Sequence, residues 1–346
     1  MRFESRSSFS TLPSLLALLA CGALGFTAAC GSSDSPAASG SSSGGAAGAG
    51  NGSAGASASG GASSSDPNAV VGSFIVELIG KTDSSDAYVA VSGKVYDGVT
   101  PATVVWDLVT SAAGCQLLKP RAPFCTTPCG GGGVCVEDEQ CASYPTAQDL
   151  GSVTVQGLGS SDVVMKPIAS SYQLPGDVTL AYPPAAEGAP VSLQVSGGPF
   201  GAFSIQTKMV APLVAGGTLT LDPSQPLALT WTAPGDTELA RLQVKVDISH
   251  HGGSKGKIEC DVADTGSLQI PASMVKSLID LGVAGFPTVT LTRVASGSTA
   301  IAPGKVSLQT LSSVALELLV PGVQSCHEDT DCQTGHTCQQ DLTCTR

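Results

Sequence analysis

From Ser73 onward the chain falls into short runs in which apolar and polar residues alternate. Phe74-Ile75-Val76-Glu77-Leu78, Tyr88-Val89-Ala90-Val91 and the run Thr103 to Leu108 come first, separated by turn signals such as Asp97-Gly98 and Thr100-Pro101. A period of two places one set of side chains in a core and the other in water, so each run predicts a strand. Three or four strands are expected before Cys115. The rhythm resumes at Val153-Thr154-Val155, Val163 to Met165, Val178 to Leu180, Val191 to Val195, Phe203 to Ile205, Thr218 to Leu221 and Leu227 to Trp231. It continues at Leu242 to Ile248, Lys257 to Cys260, Val289 to Arg293 and Val314 to Val320. Short strands at regular spacing, with Gly and Pro between them, predict an all-β chain built as an antiparallel β-sandwich.

One stretch changes period. Pro271 to Gly282 opens with Pro, places Val275, Leu278 and Ile279 on one face and closes with Gly, which predicts a single short helix covering one end of the sandwich. Leu229-Thr230-Trp231-Thr232-Ala233-Pro234 resembles the tryptophan-bearing strand of immunoglobulin-like and fibronectin-like domains, and this resemblance implies a core position for Trp231.

Two stretches break the pattern with cysteine. Cys125, Cys129, Cys135 and Cys141 fall within one short segment, and Cys326, Cys332, Cys338 and Cys344 repeat the design at the C-terminus. The last three cysteines of each copy share the spacing C-x5-C-x5-C, with Gly132 aligned to Gly335 and Asp138 to Asp341. Segments this short bury too little apolar surface to fold alone, so both are expected to be small disulfide-rich modules. Structural zinc favours closer pairs, and only Cys125 and Cys129 have that spacing. Each module allows three connectivities; first-to-third and second-to-fourth pairing is expected, Cys125 with Cys135, Cys129 with Cys141, Cys326 with Cys338 and Cys332 with Cys344. If the modules close on themselves, Cys115 and Cys260 remain, and either pair with each other or stay as two buried thiols.

The N-terminus adds an address. Phe9 to Ala29 is uncharged and ends in Ala28-Ala29-Cys30-Gly31, which resembles a bacterial lipoprotein signal peptide whose cysteine takes the lipid. Cys21, preceded by Leu18-Leu19-Ala20, competes for that role. Cys30 is preferred, because cutting there leads straight into a polar linker and leaves ten cysteines, an even number. By the same resemblance, Gly31 implies passage to the outer membrane. Residues 31 to 66 are nearly all Gly, Ser and Ala and are expected to be disordered, spanning about 30 to 36 Å.

Charge excludes one class of partner. The net charge is -12, and the 16 basic residues are scattered, so no nucleic-acid surface can be drawn. Candidate chemistry is sparse. Asp247-Ile248-Ser249-His250-His251-Gly252-Gly253-Ser254-Lys255-Gly256 contains a formal G-x-S-x-G, but a strand precedes it and another follows, whereas a nucleophile elbow lies between a strand and a helix. Two adjacent histidines point to opposite sides of a strand, so the expectation is a hairpin loop without metal. Glu328-Asp329-Thr330-Asp331 lacks the register of a calcium loop. No catalytic residue, metal or cofactor is expected.

The C-x5-C-x5-C-x5-C tail is similar to the Dickkopf-like and EGF-like cysteine modules of secreted lipoproteins of myxobacterial type, and the lipobox, linker and β-rich body fit that group. The resemblance covers about forty residues, implies location and module fold, and implies no activity. The expected layout is a signal peptide at 1–29, a lipidated cysteine and linker at 30–67, an N-terminal β segment at 68–124, a cysteine module at 125–145, a sandwich at 146–323 and a second module at 324–346. The function expected is a noncatalytic outer-membrane surface lipoprotein, on the periplasmic face or the cell surface, held by its lipid. It would bind a protein or glycan partner, adhere or brace the envelope. The alternative is an extracytoplasmic hydrolase using the Asp247 to Lys255 loop.

Overall fold

A computed structural model describes residues 69–345; the readings of a signal peptide, of Cys30 and of the linker fall on residues outside that range. Residues Ala62–Arg346 group as one compact unit. Strands β1 (Val70–Ile79), β2 (Tyr88–Val95), β3 (Val105–Ala112) and β4 (Cys115–Arg121) precede the first cysteine module, which contains β5 (Val134–Glu137) and β6 (Gln140–Ala142). Next come β7 (Val153–Gln156), β8 (Val163–Met165), β9 (Ser171–Gln173), β10 (Pro190–Val195) and β11 (Phe203–Lys208). They are followed by β12 (Leu219–Thr220), β13 (Leu227–Thr230), β14 (Arg241–Asp247), β15 (Lys257–Ala263), β16 (Ser267–Ile270) and the helix α1 (Ala272–Ile279). The long strands β17 (Thr288–Ile301) and β18 (Gly304–Leu319) lead to the second module with β19 (Thr337–Cys338) and β20 (Cys344–Thr345).

Among the described residues the fold is all-β with one short α-helix and two disulfide-rich modules, as the sequence pattern predicts. Its main sheet has ten strands, ordered β3-β4-β15-β14-β17-β18-β1-β2-β9, with β12 beside β18. Strands from before the first module and from after it therefore interleave in one sheet. The sheet is mixed: β1 and β12 run parallel to β18, while the other pairings are antiparallel.

Two covers share this one sheet. The four-stranded sheet β11-β10-β7-β8 packs over its β18-β1-β2 end, where Phe74, Val76, Leu78, Val155, Met165, Leu193 and Leu308 are fully buried. Gly93 makes this core possible, because a Cβ there would lie 2.1 Å from the ring of Phe74. The second cover is the two-stranded β13-β16 sheet with α1, which buries Leu229, Ile270, Val275 and Leu278 against Leu242, Val246, Ile258 and Leu291 of β14, β15 and β17. Each such side chain removed from water contributes about 1.5–3 kcal/mol, so either core outweighs any single polar contact in the fold. The helix starts at Pro271, whose carbonyl accepts from the backbone N–H of Met274 and Val275, and Gly282 takes the left-handed conformation just beyond its end.

Between the cores lies a belt of buried polar side chains. The segment Lys208–Leu213 crosses from one core to the other, and its backbone must find partners away from water. Thr310 donates to the Lys208 carbonyl, Ser312 accepts from the Leu213 N–H at 3.0 Å, and Arg293 donates to the carbonyls of Ala211 and Pro212 at 3.2 Å each. Arg293, 1% exposed, also donates to the Thr232 carbonyl at 2.7 Å and makes a two-pronged ion pair with Asp264, which is 0% exposed. Asp264 accepts in addition from the indole N–H of Trp231 at 2.7 Å. Trp231 thus has the core position that its strand pattern implies, with its one polar atom satisfied.

Candidate functional site

Disulfides define the rigid parts. Cys115 and Cys260 face each other directly across β4 and β15, with Cα atoms 4.0 Å apart, and are joined. The remaining bonds are Cys125–Cys135, Cys129–Cys141, Cys326–Cys338 and Cys332–Cys344. In both modules the third and fourth cysteines are opposed in a short antiparallel pair. The residue after the aligned aspartate, Glu139 or Leu342, has a positive φ in each, so the sequence repeat is also a backbone repeat. The sulfurs of Cys125, Cys129 and Cys141 lie within 4.8 Å of one another, as do those of Cys326, Cys332 and Cys344. Because all of them are consumed in disulfides, no thiolate is available to a metal.

Each module is tied to the body by named contacts. Arg121 at the end of β4 pairs with Glu137 at 3.0 Å and Asp138 at 2.9 Å, and its guanidinium is pushed above its ordinary pKa first by the hydrogen bond to Glu137. In the second module the Asp341 carbonyl accepts from the Gly285 N–H at 2.6 Å, and His327 stacks on Phe286 with ring centroids 4.4 Å apart. The Asp331 carboxylate accepts from the N–H groups of His327 and Glu328, and these bonds hold it below its ordinary pKa. Asp329 accepts from the Cys338 N–H at 2.7 Å and Glu328 from the Thr330 hydroxyl at 2.7 Å, so the acidic run is spent inside its own module.

The Asp247–Lys255 loop joins β14 to β15, strand to strand, so Ser254 does not sit on a nucleophile elbow. Asp247 accepts from the Ser249 N–H at 2.9 Å, and the Ser249 hydroxyl accepts from the Lys255 N–H at 3.0 Å. These bonds shape a turn. One premise of the sequence reading changes here: His250 and His251 do not alternate, because His251 has φ 65° and the two ring centroids lie 3.9 Å apart.

A broad concavity lies elsewhere, on the outer face of the ten-stranded sheet. It is a groove of about 1030 Å³ floored by β14, β15 and β17 and bounded by the β3-β4 turn, and Gln116, Gln243, Lys245, Glu259, Thr290 and Thr292 line it. Its charges are already matched. Lys245 pairs with Asp247 at 3.0 Å, Glu259 with Lys257 at 2.6 Å, and Asp261 with Arg241 at 2.7 Å. The amides of Gln116 and Gln243 remain able both to donate and to accept. At one margin the Lys257 ammonium sits 3.9 Å from the centroid of Trp106, so that indole face is covered. None of these groove residues stands out in the sequence. They are the polar halves of alternating strands, and only cross-strand register brings Gln243 beside Thr292 and Glu259 beside Gln116.

No family model matches the chain, and no curated protein matches it. Among solved structures it is similar to the FN1-FN3 domains of chicken CNTN1 at 10% identity, with 66% of this chain and 70% of that one covered and a TM-score of 0.19. At that score the description of the fold rests on the chain's own strands. Among the described residues no helix is long and apolar enough to cross a membrane.

Proposed function

We propose that this protein is a noncatalytic binding module, held at the outer membrane by a lipid on Cys30 and carried on the Gly/Ser/Ala linker, and that the groove on the ten-stranded sheet receives its protein or glycan partner. The observation that carries this reading is the groove itself. It is broad and charge-matched, and it lies on strands cross-linked by Cys115–Cys260, so little ordering is left to be done on binding. The alternative reading of a hydrolase draws no support from the Asp247–Lys255 loop, whose Ser249 and Asp247 are committed to turn geometry and whose Ser254 lies between two strands.

The test uses the compact unit 62–346 and isolated cell envelopes. Saturable binding is expected, with the Gln116→Ala/Gln243→Ala variant binding at least tenfold more weakly. Equal binding by that variant overturns the assignment of the groove. Turnover of ester or amide substrates that disappears on Ser254→Ala overturns the noncatalytic reading. Fatty-acid labelling of the full chain that persists in Cys30→Ser moves the lipid to Cys21.

A further inference from the structure

We infer that the turn Ser249–Gly253 is a two-imidazole site for a borderline divalent transition metal, with Cu(II) the preferred ion. On a strand, neighbouring histidines diverge. Here the left-handed conformation of His251 turns its ring back beside that of His250, with centroids 3.9 Å apart and ring planes 49° from parallel. Two imidazole nitrogens bound to one ion at about 2.0–2.1 Å lie roughly 3 Å from each other, within reach of rings already this close.

The backbone under the pair is fixed on every side. The Gly252 N–H donates to the Ser249 carbonyl at 2.8 Å, and the Phe286 N–H donates to the His250 carbonyl at 2.8 Å. Asp247 holds the Ser249 N–H at 2.9 Å. Gly252 approaches so closely that a Cβ would lie 2.3 Å from the Gly285 nitrogen. The scaffold is thus set before any ion arrives, while both rings are exposed and open to solvent.

Donor chemistry selects the ion. Imidazole suits Cu, Ni and Zn rather than Mg or Ca, and Cu(II) heads the affinity order for a given nitrogen site. Among the described residues no third His, Cys, Asp or Glu joins the pair in a preformed cluster. The other coordination positions are therefore left to water or to a donor from a bound molecule.

The test is an electron paramagnetic resonance titration of the intact, untagged protein with Cu(II). One equivalent is expected to give a spectrum with coupling to two nitrogens. His250→Ala and His251→Asn should each weaken binding at least tenfold; asparagine is used at 251 because it tolerates positive φ. His327→Ala should bind as wild type. A spectrum showing fewer than two nitrogens overturns the inference. So does undiminished uptake by the His250→Ala/His251→Asn double variant, or an equal loss in His327→Ala.

Discussion

Replacing Arg293 by methionine tests whether the polar belt holds the two cores together. The side chain makes five hydrogen bonds: two to Asp264 and one each to the carbonyls of Ala211, Pro212 and Thr232. Methionine fills much of the volume and removes all five. Asp264, 0% exposed, would keep only the indole N–H of Trp231 against a full charge. Removing one partner of a buried pair costs about 3–5 kcal/mol, of which the stranded charge is the larger part, whereas the pair itself contributes little against an apolar substitute. Arg293→Met alone should therefore lose about 3–5 kcal/mol. Adding Asp264→Leu should return about 2–3 kcal/mol of that, the remainder reflecting the Trp231 N–H and the three carbonyls left without donors. Urea unfolding with disulfides intact, followed by tryptophan fluorescence and far-UV circular dichroism, measures Arg293→Met, Asp264→Leu and the double variant, and a double-mutant cycle extracts the coupling. Single losses that add without coupling, or a loss below about 1 kcal/mol for Arg293→Met, would refute the reasoning.

Three further outcomes follow from other contacts. Removing the Cys115–Cys260 bond, which closes a separation of 145 residues, should cost about 5 kcal/mol on the chain-entropy model, against about 3 for a module bond of separation 12, and the difference is read from denaturation midpoints of the paired alanine variants. Gly297→Ala should lose about 1–3 kcal/mol, because its Cβ would fall 1.8 Å from the Gln206 carbonyl oxygen of β11 and the two layers would have to part; an unchanged melting temperature contradicts that close approach. Asp331 is a depressed carboxylate, so its contribution to the second module is complete above the ordinary value of 3.8 and is lost as pH falls through the folded value below it; the amide resonances of His327 and Glu328 should shift in that acid window, and Asp331→Asn should abolish that shift.

The strands carrying strong alternation were legible in the sequence, and those carrying small residues were not. Val289 to Arg293 and Val314 to Val320 are the apolar ends of two far longer strands, Thr288–Ile301 and Gly304–Leu319. The hidden half of the first, Ser296-Gly297-Ser298, looks like a turn because Gly297 has no side chain; it is glycine because β11 passes over it. Val178 to Leu180 errs the other way. Its apolar residues pack on the first core from irregular backbone, so burial without pairing imitates a strand. The parallel neighbours of β18 were beyond reach, since alternation reports which face is buried and says nothing about which strand lies alongside. Arg293 was unreadable for a related reason. Its partners Ala211, Thr232 and Asp264 are 29 to 82 residues away and come together only in the folded chain.

The groove and the histidine turn meet at one residue, and that decides how the two can be told apart. Asp247 ends β14; one carboxylate oxygen pairs with Lys245 at the groove and the other accepts from Ser249 at the base of the turn. A substitution at Asp247 would release a groove charge and loosen the turn together, so a lost activity there would speak for neither site. Gln243 and His250 are free of this ambiguity. Gln243 faces the groove from mid-strand and takes no part in the turn, while the His250 ring is exposed beyond the strand end and only its carbonyl is bound to the body. Partner binding that falls with Gln243→Ala alone, and Cu(II) uptake that falls with His250→Ala alone, would place two independent sites on one rigid sheet.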